Sequence, residues 1–352
     1  MSLALKWLLG LLVGGVFIWL GAADWPLAKI FEHGLQLDGH YVHSGANWSF
    51  DLLYLAPYCA VLTVIHFLRV IRWYPLLRPL GHVDFGILNR VSGLGNMYLF
   101  LLPFRLGELA RPLLLARETN IRMSASLATI VVERVVDGLI VSFVLSVVLL
   151  FLPGQEQAAF SEIRIGAYAA LGIFTSALIV LSATALRPET TLRFLERLGN
   201  LVSASLTTKV LSLIRTFMDG LAALPSRRHF VDFLGWSALY WALNGYGYYV
   251  LSLGFPSLHI PLIAAYAMMC CVVVGMMLPN PPANVGVYWY FLLKPLTLYG
   301  IATGDVAATV FGLVAWLGQL VQQTLFGVWF AAKDPGRSSL RSHDDLTAAS
   351  GR

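Results

Sequence analysis

Apolar residues in this chain come in long runs rather than in alternation. Such runs occupy residues 5–22, 52–74, 125–152, 163–185, 230–253, 261–278 and 306–332. Each is near the length, about 20 residues, that a helix needs to cross ~30 Å of hydrocarbon. None has the two-residue alternation of a membrane β-strand. The pattern predicts an all-α polytopic membrane protein with about seven full transmembrane helices.

Two further stretches are apolar but broken. Residues 85–104 contain Gly93, Gly95 and Pro103, and residues 275–293 read GMMLPNPPANVGVYWYFLL, with Pro279, Pro281, Pro282 and Gly286. Both are expected to be broken or re-entrant segments, because irregular backbone survives at membrane depth only where protein or a water-filled cavity satisfies it. Broken segments in the two halves of a chain point to a transporter's binding site.

Composition supports a bilayer setting. The 352 residues are 58% hydrophobic and 12% charged, too little polar surface to coat a soluble globule. Cys59, Cys270 and Cys271 lie in apolar runs without metal-ligand or disulfide spacing and read as packing residues. Residues 5–22 are too long in the apolar part, and too poor in cleavage signal, for a signal peptide and read as a retained first helix.

Charge then orients the spans. Arginines gather at Arg69, Arg72, Arg78 and Arg90, again at Arg105, Arg111, Arg117 and Arg122, through residues 186–228, and in the tail beyond Lys333. The excess of positive charge assigns these segments to the cytoplasm. Residues 23–51, with Lys29 against Asp24, Glu32, Asp38 and Asp51, face outward. Both termini are therefore expected on the cytoplasmic side of a bacterial inner membrane. Residues 85–104 should enter and leave by one face, and residues 275–293 should return outward through a short half-helix. Residues 1–332 read as one transmembrane domain, with 186–228 as an amphipathic cytoplasmic helical connector and 333–352 as a disordered tail.

Within this frame the charged residues stand out. In PFRLGELARP, Arg105, Glu108 and Arg111 follow at helical i,i+3 spacing, and Gly107 leaves room for a neighbour or a headgroup to approach the backbone. Two guanidiniums sharing one carboxylate keep unused donors, which suits a phosphate or carboxylate. The plainer reading, that arginines here are interface anchors, fits Arg117 and Arg122 but leaves Glu108 unexplained. In TIVVERVVDGL, Glu133, Arg134 and Asp137 lie inside an apolar span, where they must pair or face a polar cavity. A salt-bridge network closing the inner end of a cavity is expected, either as a gate or as a structural staple between helices. Lys294 either completes the anion site or snorkels; His66, Arg69, Asn244, Asn280 and Asn284 are weaker candidates.

No nucleophile–base arrangement, zinc motif, nucleotide-binding loop or nucleic-acid motif is present, so the reading is not an enzyme and calls for no cofactor. His33, His40 and His43 lack helical metal-ligand spacing.

The motifs PFRLGELAR and ERVVD, with LPNPPANVGVYWYF, resemble the signatures of the lysylphosphatidylglycerol synthase transmembrane-region family of flippase-like membrane proteins. The resemblance implies a membrane domain that moves an anionic-headgroup or modified lipid between leaflets, without the soluble aminoacyltransferase that accompanies it elsewhere. It carries over Arg105, Gly107, Glu108 and Arg111, then Glu133, Arg134 and Asp137, then Pro279, Pro282 and Gly286. Two positions depart: Ala283 stands where the family commonly has glycine, and Trp289 where it commonly has Glu or Gln.

The expected function is a lipid flippase for an anionic-headgroup or polyprenyl-phosphate lipid. Its substrate-binding residues are Arg105, Gly107, Glu108, Arg111 and Lys294, its gating or ion-pair network is Glu133, Arg134 and Asp137, and its broken-helix motif is Pro279, Pro282, Asn284 and Gly286. The alternative is a non-transporting scaffold that presents lipid to a partner lipid-modifying enzyme or glycosyltransferase.

Overall fold

The computed structural model describes residues 12, 15, 16, 26–45, 47–102, 107–186, 189, 190, 193, 196, 227–277 and 281–333. All but residues 12, 15 and 16 of the expected first helix at 5–22, nearly all of the connector at 186–228 and the tail after 333 lie outside the described residues, as do Arg105, Pro279 and Asn280.

The segment expected only as an outward loop forms a small sheet, which an all-α reading misses. Strands β1 (Gln36–Asp38), β2 (Tyr41–His43) and β3 (Ser49–Asp51) pair antiparallel in that order, with Gln36 opposite His43 and Tyr41 opposite Asp51. Gly39 (φ 59) and Gly45 (φ 56) supply the positive φ that turns so short need. Trp48 and Phe50 are buried, the Trp48 indole donates to the Ile30 carbonyl at 3.1 Å, and the Asp51 N–H donates to the Gly254 carbonyl at 2.8 Å. Those bonds dock the sheet on one end of the helical body.

The helices follow in order: α1 (Leu55–Leu77), α2 (Phe85–Leu101), α3 (Ala110–Glu118), α4 (Met123–Val148), α5 (Ala158–Leu186), α6 (Arg227–Ser252), α7 (Leu262–Met276), α8 (Val287–Leu293) and α9 (Val306–Lys333). Among the described residues, three stretches are long and apolar enough to cross a membrane by length and composition: Leu52–Leu77, Ala158–Thr184 and Val306–Lys333. The other expected spans among the described residues are helices of a different kind. Helix α4 has the length, 26 residues, but carries Glu133, Arg134 and Asp137. Helix α6 is diluted by Tyr240, Asn244, Tyr246, Tyr248 and Tyr249, and α7 has only 15 residues.

Gly93 and Gly95 do not break α2, which runs through them without interruption. They are contact points instead: a Cβ on Gly93 would press on the Phe330 ring and one on Gly95 would overlap the Arg111 side chain. Helices α2 and α3 form an antiparallel hairpin, with Gly95 against Arg111 and Gly107 against Leu99. Arg90, near the start of α2, is ion-paired with Glu118 at the end of α3, so both ends of the hairpin lie together. The second broken stretch does break: α7 stops at Met276, a 3₁₀ turn occupies Pro282–Asn284, and α8 is a helix of seven residues.

Two apolar cores stack along the bundle. One holds Trp48, Phe50, Leu62, Val141, Tyr248 and Tyr288; the other holds Val70, Trp73, Leu94, Leu114, Val132 and Phe233. Helices α1, α4 and α6 pass through both, and the charged residues of α1 and α4 fall just beyond the boundary between them.

Candidate functional site

The centre of the charged layer is Arg72, whose residue is 1% exposed. Its guanidinium donates to both oxygens of Asp137 at 2.5 and 2.8 Å and to Glu133 at 2.7 Å, a fork that one lysine could not reproduce. Arg111, carried in by α3, donates to both oxygens of Glu133 at 3.1 Å. Arg134 donates to Glu133 at 2.5 Å and lies 3.3 Å from Asp137, the i,i+3 reach its spacing predicts. The Trp241 indole of α6 adds a donor to Asp137 at 2.9 Å. Four helices thus meet on two carboxylates.

Aromatic faces line the cations. The Arg72 guanidinium lies 4.2 Å from the Tyr240 ring centre and that of Arg111 lies 4.1 Å from the Trp73 ring centre. Trp73 is itself fixed by its indole N–H on Thr129 at 2.9 Å. Such stacking favours a cation that has left water.

Three guanidiniums against two carboxylates leave this five-residue network at +1. Burying ions costs several kcal/mol each unless every donor finds a partner. Here Arg72 Nε, Arg134 Nε and both Nε and Nη2 of Arg111 are buried and find no partner among the described residues, as does Asn96 Nδ2 on α2. These five residues by themselves therefore hold excess positive charge and spare donors, the complement of an anion's needs.

The sequence-predicted residues are sorted by this geometry. Glu133, Arg134, Asp137 and Arg111 come together as one network. Arg111 bonds Glu133 across helices rather than Glu108, while the expected contact of Glu108 with Arg105 lies outside the described residues. Glu108 contributes to the field at Arg134. Gly107 leaves room for a neighbour, and that neighbour is the Tyr98–Leu99 backbone of α2 rather than a headgroup. Lys294 does not join the network: it pairs with Glu162 on α5 at 2.7 Å. His66 bonds Asn89 at 2.9 Å and stacks on Phe326; Arg69 donates to the Tyr240 hydroxyl at 2.9 Å; Asn244 donates to the helical carbonyl of Tyr240.

From the sequence Arg72 reads only as one of the positive-inside arginines. The available signal was its setting, HFLRVIRWYPLL, where it lies deeper in an apolar run than an anchor should. Trp73 and Trp241 carried no signal at all.

At the broken segment, Ala283 (φ 54) and Asn284 (φ 56) are both left-handed, and Gly286 (φ 83) precedes α8. The Trp316 indole of α9 donates to the Ala283 carbonyl at 2.8 Å, holding the turn. Beside it Gln319 donates to the hydroxyls of Tyr248 and Tyr288 at 3.0 and 3.2 Å. Trp289 is buried, 5.0 Å from the Trp316 ring centre, in space left by Gly312.

Residues 7–321 match the profile of the family described as Lysylphosphatidylglycerol synthase TM region. No curated protein and no solved structure matches the chain.

Proposed function

We propose that this chain, which belongs to the lysylphosphatidylglycerol synthase TM region family and is an integral membrane protein, is a lipid flippase acting on an anionic-headgroup or polyprenyl-phosphate lipid. The observation that supports the reading is the buried +1 network with spare Arg111 donors. A phosphate arriving there neutralises the excess charge and accepts the N–H groups that protein leaves unused.

Arg111 and Arg105 bind the headgroup, Glu108 and Gly107 shape the α2–α3 hairpin that brings Arg111 in, and Glu133, Arg134 and Asp137 with Arg72 form the gate. In this reading the described state, with Glu133 0% and Arg111 4% exposed, is the closed one. Access requires the hairpin to shift against α1 and α4, with chains remaining in lipid while the headgroup crosses. The irregular turn at Pro282–Asn284 gives the other half its break at depth. Lacking a nucleotide-binding motif, the movement runs downhill or on an ion gradient. Catalysis is not part of this reading, and the setting is a bacterial inner membrane with cytoplasmic termini.

The same burial favours a second reading, a scaffold whose network is a permanent staple and which presents lipid to a partner enzyme. Leaflet exchange in proteoliposomes separates them, with fluorescent phosphatidylglycerol, phosphatidylcholine and polyprenyl phosphate as probes. Exchange of the phosphate-bearing anionic lipids, lost in Arg111→Ala and Arg105→Ala while the folded protein is retained, supports the flippase. Wild-type protein that is folded yet exchanges none of the three lipids overturns it.

A further inference from the structure

A cavity of about 320 Å³ lies away from the charged layer, between α4, α5, α7 and α8. Its wall is mostly apolar, with Leu145, Ile163, Ala167 and Val274, and its charged side chains are Glu162 and Lys294. These form the 2.7 Å ion pair, with Lys294 Nζ 5.7 Å from the Tyr290 ring centre. Glu162 lies one turn into α5, and its side chain is 56% exposed against 23% for Lys294. The rest of α5 is the least buried of the three long spans, with only 11% of its window buried.

An apolar cavity of ligand size, opening beside a lipid-facing helix and topped by charge near a helix end, has the polarity of an amphiphile. We propose that it is a lateral binding site for a phospholipid whose headgroup carries both a phosphate and a primary amine, with one acyl chain in the cavity. The ion pair decides the headgroup. Lysine keeps donors beyond the one given to Glu162, and these suit the phosphate. The carboxylate accepts the ammonium. A purely anionic headgroup would meet Glu162 uncompensated, and a neutral one would leave the pair with nothing to bind. The site stands apart from the flippase reading and does not depend on it.

Gly166 offers the test, because a Cβ built there meets no atom within 4 Å. Gly166→Leu should plug the cavity without disturbing the backbone. Protein stripped of lipid in detergent would be exposed to vesicles of equal phosphatidylethanolamine and phosphatidylglycerol, and the lipid retained on it counted by native mass spectrometry. Wild-type protein should retain phosphatidylethanolamine severalfold over phosphatidylglycerol, Gly166→Leu should lose that retention at unchanged thermal stability, and Glu162→Gln should shift the preference toward phosphatidylglycerol. Diacylglycerol and glycerophosphoethanolamine, supplying tail and headgroup separately, should each compete poorly. Equal retention of both phospholipids by wild type, retention unaltered in both variants, or full competition by either fragment would overturn the proposal.

Discussion

Removing Arg72 tests whether the charged layer holds the helices together as its geometry implies. Arg72→Ala deletes three charge-assisted hydrogen bonds, two to Asp137 and one to Glu133, between groups whose side chains are 0–2% exposed. Glu133 keeps Arg111 and Arg134, whereas Asp137 is left with the Trp241 indole at 2.9 Å and Arg134 at 3.3 Å. Breaking a buried pair from one side costs about 3–5 kcal/mol. The surviving partners pull this toward the lower end, and the lost Tyr240 stacking adds back about 1 kcal/mol, for an expected loss of roughly 3–4 kcal/mol. Arg69→Ala is the control: it removes one hydrogen bond to the Tyr240 hydroxyl and a 5.6 Å contact with its ring, together worth about 1.5–2 kcal/mol. Denaturant titration in detergent micelles, followed by tryptophan fluorescence, measures both. Combining Arg72→Ala with Asp137→Ala should cost less than the sum of the single changes, because the second removes the orphaned charge. An Arg72→Ala loss no larger than that of Arg69→Ala, or a fully additive double variant, would refute the network as an energetic unit.

Three further expectations follow from particular contacts. Ala283→Gly should stabilise the protein, by roughly 0.5–1 kcal/mol after the entropic cost of glycine, since Ala283 is held at φ 54; a lower thermal midpoint would count against it. Gly107→Ala should sharply reduce the yield of folded protein, because its methyl group would overlap backbone of Tyr98 and Leu99 rather than a movable side chain; size-exclusion profiles at wild-type level would show that the hairpin is looser than described. Tyr288→Phe should cost about 1 kcal/mol through its lost bonds to Tyr248 and Gln319, and a thermal midpoint at or above that of wild type would show that these bonds do not stiffen the break before α8.

Much of the architecture was legible locally, for reasons that act within one segment. In Ala158–Leu186 every residue after Arg164 is uncharged and most are apolar, so that part must be a helix in hydrocarbon whatever surrounds it. The prolines around Pro282 remove backbone donors, so the break there was forced as well. Gly93 and Gly95 misled because a glycine in a helix has two uses: it can loosen the backbone or admit a neighbour, and only the positions of Phe330 and Arg111 choose between them. The sheet at residues 36–51 was hidden because its strands are three residues long and are held largely by docking onto Ile30 and Gly254.

For the site, the sequence alone determined which charges could not be left unpaired: Glu133, Arg134 and Asp137 lie within an apolar helix, and burial without partners is too costly there. Tertiary structure decided the partners. Arg72 comes from a helix 61 residues earlier than Glu133, Arg111 crosses over from the α2–α3 hairpin, and Lys294 goes instead to Glu162 on the far side of the bundle. Ionic attraction fixes that a carboxylate must find a cation; only the packing of helices against one another fixes which cation is within reach.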